Sequence, residues 1–251
     1  MIDAHPPSSR GAAGGVLMAA GAAALVALVG AAALRTLPLA RSWRATRAAG
    51  AYRVAGLTRA ETAAGATTWR VLGRGDTGGA LTLTLFAGEA GADLAGDAAG
   101  ADGAGAADAA ATTWRIRWPE VSDGAGRALP RRALGAVLPV GDPLVLVATG
   151  HAARVGALEA VGAGACRRVD FRVGARAYGT WWEAHPAFLP VNAEAGGLWT
   201  FEGAATAWLD PATGRPCRIA ARVDLPRLGD DLPGRGTVDW TYDWDGATAE
   251  P

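Results

Sequence analysis

The 251-residue sequence balances 24 basic residues, all of them arginine, against 24 acidic ones and contains no lysine. Neutrality removes the basic field that nucleic-acid binding needs, and the lack of lysine excludes Schiff-base and P-loop chemistry. Only Ser8, Ser9, Ser42 and Ser122, with His5, His151 and His185, are left for nucleophilic, acid–base or metal roles, so a non-enzymatic protein without a cofactor is expected.

Residues 1–10 form a short polar start. Gly11 to Leu34 then runs for 24 residues without a charge, roughly 36 Å as a helix and enough to cross a bilayer. It predicts one N-terminal transmembrane helix, a signal anchor for a single-pass protein. The arginines after it (Arg35, Arg41, Arg44, Arg47) outnumber Arg10 before it, which would hold the main domain inside. The character of that domain and its two cysteines point the other way, and an extracytoplasmic placement is expected. Residues 35–49 read as a basic linker.

From residue 50 to 249 a period of two dominates. Ala51–Arg59, Thr67–Arg74 and Ala80–Phe86 read as successive strands, with Leu81, Leu83 and Leu85 alternating against Thr82 and Thr84. Residues 87–111, rich in Ala, Gly and Asp, carry no aromatic and no period, and predict a flexible insertion within a hairpin. The spacing of Asp93, Asp97, Asp102 and Asp108 fits no calcium loop. Thr112–Glu120 resumes the strand pattern. Asp142–Pro143 marks a helix start, with Asp as N-cap and Pro in the first helical position. Strands follow at Arg154–Val161 and Ala165–Val173, then a short aromatic helix before Pro186. Three closing strands end the domain, the first two joined by a turn at Asp210–Gly214.

The order of these pieces carries a resemblance. "GDPL", "ALEAVGAGACRRVDFRV", an aromatic patch, "AWLDPATGRPCRIAARV" and "GTVDWTYDW" are similar to LolA-type extracytoplasmic lipoprotein carriers, and most to their LppX/LprG-like actinobacterial branch. The resemblance implies a mainly β fold with a few helices (α+β): a strongly curved antiparallel sheet, or half-barrel, with helices on its concave side. It also implies an apolar cavity for lipid or lipoprotein acyl chains, and no catalytic residues. The sequence departs from that pattern in lacking a lipobox cysteine and in carrying the insertion. An envelope protein partner for a sensor or scaffold domain is the alternative.

Trp69, Leu83, Trp114, Ile116, Trp118, Trp181, Trp182 and Trp199 are the candidate cavity-lining residues, against the plainer role of core packing. Cys166 and Cys217 would suit a disulfide in an oxidising compartment or stay separate buried thiols. His151 and His185 lack metal-ligand spacing. Nothing fixes the separation of Asp170 and Glu183 as a hydrolytic acid pair. Arg74-Gly75-Asp76 is explained by a hairpin turn.

Overall fold

The structure, a computed structural model, describes residues 37–88, 111–191, 200–226 and 233–244. The expected membrane-spanning segment, residues 89–110 of the 87–111 insertion, and Trp199 lie outside these residues. No described helix is long and apolar enough to cross a membrane.

Residues 37–49, read above as a basic linker, are helical (α1). Leu39, Ser42 and Thr46 recur at helical spacing and are buried. Trp43 between them meets Trp181 and Phe188 edge-on, with ring centroids 5.4 and 5.8 Å away. Then come β1 (Ala51–Thr62), β2 (Gly65–Asp76), β3 (Ala80–Ala87), β4 (Thr112–Arg117) and β5 (Glu120–Asp123). Two helices, α2 (Arg131–Val137) and α3 (Pro143–Thr149), lead to β6 (His151–Val161), β7 (Gly164–Gly174), α4 (Ala175–Glu183), β8 (Glu202–Leu209), β9 (Pro216–Asp224) and β10 (Arg235–Asp243). The single strand expected over Thr112–Glu120 is two, divided at Trp118–Pro119 because proline has no N–H for a ladder.

All ten strands form one open antiparallel sheet in the order β5-β4-β3-β2-β1-β10-β9-β8-β7-β6. Each half is a meander, β1 to β5 and β6 to β10. The α2–α3 segment carries the chain from one edge of the sheet to the other. Within the sheet, among the described residues, the halves meet where β1 pairs with β10, from Arg53 opposite Asp243 to Glu61 opposite Arg235.

Alternation sorts the side chains onto two faces. One face packs under the helices: Tyr52, Val54, Val71, Leu83, Leu85, Ile116, Phe171, Ile219, Val223 and Trp240 share a single cluster with Leu134, Leu138, Leu144 and Leu146. Gly56 lies in this packing because a Cβ there would fall 2.1 Å from the Asp239 carbonyl oxygen across the β1–β10 seam. The other face carries no helix among the described residues and presents arginine, threonine, alanine and carboxylates.

Hydrogen bonds tie the helix layer down. The Asp142 side chain caps α3 by accepting from the Leu144 N–H at 3.0 Å, as the sequence predicts. The Tyr178 hydroxyl on α4 accepts from the buried Val191 N–H at 2.8 Å. Tyr178→Phe leaves that N–H without this acceptor, and a loss of about 1–2 kcal/mol in urea unfolding is expected.

Candidate functional site

The room expected for a ligand lies between sheet and helices, where the described side chains pack into one core cluster. Tyr52, Tyr178, Trp240, Leu144, Leu146 and Leu189 are all fully buried there, because large aromatic and aliphatic side chains from both layers interdigitate. Leu83, Trp114 and Ile116 are core residues of this layer, and Trp69, Trp118, Trp181 and Trp182 pack partly buried against it. The Trp182 indole N–H donates to the Phe188 carbonyl at 3.0 Å. His185 stacks on Trp181, with centroids 4.2 Å apart and planes at 8°.

A cavity of about 1190 Å³ lies instead on the helix-free face, above the roughly 300–1,000 Å³ typical of small-molecule sites. Seven neighbouring strands contribute to it, from Thr68 on β2 across to Arg154 on β6. That breadth means the sheet is hollowed on this side. Trp69, Trp114, Trp118, Trp181 and Trp182 do not line it.

Strand register lays out its chemistry. One row runs across the sheet through His151, Arg172, Ala204, Arg222, Thr237, Arg59 and Thr68. The adjacent row on the same face is Arg154, Asp170, Thr206, Ala220, Asp239 and Leu57. Small residues therefore floor the hollow between long cationic ones. Five arginines line the cavity, Arg59, Arg154, Arg172, Arg218 and Arg222, against three carboxylates, Glu61, Asp170 and Asp239.

The carboxylates are engaged. Asp239 takes two hydrogen bonds from Arg218, at 2.7 and 2.5 Å, and that guanidinium lies 4.7 Å over the Trp208 ring. Trp208 in turn donates to Glu159 at 2.6 Å. Asp170 accepts from the Arg168 Nε at 3.0 Å and from the Thr206 hydroxyl at 2.7 Å, and its bond to Arg168 raises the guanidinium further above its ordinary range. Glu61 meets Arg59 at 3.4 Å and Arg235 at 3.2 Å. Arg235 also donates to Asp224 at 2.8 Å, holding that carboxyl below the usual carboxylate range. Arg154, Arg172 and Arg222 are exposed and form no salt bridge among the described residues, although Arg222 is near enough to Asp224 to help lower that carboxyl.

Cys166 on β7 and Cys217 on β9 are joined by a disulfide that reaches past the end of the intervening β8. It anchors the same corner as the Trp208–Arg218–Glu159 contacts. No group of three metal-ligating side chains exists among the described residues, and Asp170 is committed to Arg168 and Thr206 rather than to Glu183. Asp76 accepts from the Gly78 and Ala80 N–H groups at 2.8 and 3.0 Å, so Arg74-Gly75-Asp76 closes a hairpin.

No family model and no curated protein matches the sequence. Solved structures do. The fold resembles those of lipoproteins LppX and LprF. LppX of Mycobacterium tuberculosis shares 12% identity at a TM-score of 0.39, over 84% of this chain and 93% of that one. LprF of Mycobacterium bovis shares 13% at 0.44, over 86% and 95%. MucB is similar too, at 16% identity and a TM-score of 0.36, over 87% of this chain and 61% of its own. At these identities the likeness concerns the fold alone.

Proposed function

We propose that this chain is a non-catalytic, membrane-tethered extracytoplasmic domain that holds the acyl chains of a lipid or lipoprotein. The observation carrying this reading is the 1190 Å³ cavity, floored by Leu57, Ala204 and Ala220 within a sheet held open at both edges. The Cys166–Cys217 bond suits an oxidising compartment, and the uncharged stretch from Gly11 to Leu34 supplies the tether. The sheet is read as a strongly curved half-barrel. A twisted sheet is saddle-shaped, so it can wrap helices along one diagonal and be hollow on its opposite face along the other.

Each methylene removed from water contributes about 0.8 kcal/mol, so half of a sixteen-carbon chain laid on this floor would gain roughly 6 kcal/mol before ordering costs. Native mass spectrometry of detergent-free protein tests the reading. A bound species of lipid mass is expected. A ligand-free spectrum, together with no uptake of a lipophilic fluorophore, rejects it.

One feature favours a second reading, an envelope protein partner. Among the described residues the edge strand β6 is unpaired on its outer side, and Val155 and Leu158 on it are 59% and 50% exposed. Such an edge accepts an added strand. Protection of β6 amides from hydrogen exchange by an envelope extract, with no lipid bound, would favour this reading over the first.

A further inference from the structure

We infer that the helix-free face holds an anionic subsite, built by Arg154, Arg172 and Arg222 around Ala204, that takes the phosphate head of an acidic phospholipid. The inference rests on the acyl-binding reading above and adds the head-group class and its position.

Register makes the case. Arg172 on β7 and Arg222 on β9 both pair with Ala204 on β8. Strands lie about 4.8 Å apart, so the two arginine backbones stand roughly 10 Å from each other. Alanine between them leaves open the space that a longer side chain would take, and one tetrahedral anion set above Ala204 lies between two guanidiniums. Arg154 approaches from the neighbouring row. Its position depends on a register shift between His151 and Arg154. There Ala152 takes a left-handed backbone with φ of 53°, the only non-glycine residue among those described to do so. Strain of this kind, on a residue that itself lines the cavity, marks a position held for a purpose other than stability.

Charge complementarity separates these arginines from their neighbours. Arg59 and Arg218 line the same cavity but are ion-paired, and Asp170, beside Arg154 and Arg172, is already taken by Arg168 and Thr206. The cavity lining carries five arginines against three carboxylates. A guanidinium fork matches phosphate oxygens in geometry and charge. Ala220 and, beyond the Arg218–Asp239 pair, Leu57 give the apolar patches on which a lipid's chains would lie, and these add nothing to the binding of a small soluble phosphate ester.

The test uses the full chain with four ligands: phosphatidylglycerol, phosphatidylcholine, diacylglycerol and glycerol 3-phosphate. Phosphatidylglycerol is expected to bind about a hundredfold more tightly than diacylglycerol, on the order of tenfold for each of two charge-assisted contacts. Arg172→Gln with Arg222→Gln should bring it to the diacylglycerol level, with uptake of diacylglycerol and the unfolding midpoint unchanged. Equal binding of all three lipids, or tight binding kept by the double variant, overturns the subsite while leaving the acyl-binding reading in place. Glycerol 3-phosphate binding as tightly as the phospholipid overturns the lipid as occupant. Failure of every lipid to bind removes both.

Discussion

Reducing the Cys166–Cys217 bond is expected to lower the unfolding free energy by about 4 kcal/mol. The two cysteines stand 51 residues apart. Closing a loop of that length in the unfolded chain removes about 14 cal/mol/K of entropy, which is about 4 kcal/mol at 25 °C. The folded protein gains as well, since the bond closes the corner where Trp208, Arg218 and Glu159 interlock. Urea unfolding with and without reductant measures the difference, and Cys166→Ser with Cys217→Ser should reproduce it. A change below 1 kcal/mol would show that the unfolded chain is already constrained there by other means.

Asp142→Asn is expected to stabilise the protein at neutral pH and to flatten its stability between pH 4 and 7. Asp142 is fully enclosed. Burial pushes its carboxyl from 3.8 up to about 6, with the Leu144 N–H and the Tyr52 hydroxyl (3.3 Å) pulling only partly the other way. A carboxyl raised on folding favours the native state while protonated. That contribution is complete below about pH 4 and is lost as pH rises through about 6, amounting to roughly 3 kcal/mol. Asparagine caps a helix about as well as aspartate and carries no charge to bury. The variant should therefore match the wild type near pH 4 and exceed it by up to about 3 kcal/mol at pH 7. A wild-type profile that is flat or rises across this range would refute the assignment.

Much of the fold was legible because its signals are local. The alternation of Leu81, Leu83 and Leu85 fixes which face of β3 is buried, and Asp142–Pro143 starts α3 as its residue types require. The β8–β9 turn closes with Asp210 accepting from Ala212 and Thr213, and with Gly214 at φ of 76°. Helix α1 was hidden because Arg41, Arg44 and Arg47 dominate a stretch whose buried stripe of Leu39, Ser42 and Thr46 is half polar. The site was not legible for a different reason. Aromatic content pointed to the oily face, but large rings pack a core as readily as they line a cavity, and here Trp114 and Trp240 are buried in the core. The polar face reads as ordinary solvated surface in any one strand. Only the pairing of β7, β8 and β9 brings Arg172, Ala204 and Arg222 into one row, and no short window of sequence contains that row.

The seam between β1 and β10 has a consequence for how the domain is made. It joins the first strand of the sheet to the last, 190 residues apart at Arg53 and Asp243. A ribosome or a translocation pore delivering the chain N-terminus first therefore releases two separate meanders, each with a raw inner edge, until β10 emerges to stitch them. Shortening the chain at the C-terminal end so that β10 is lost should therefore yield two unstitched halves rather than a slightly smaller version of the whole.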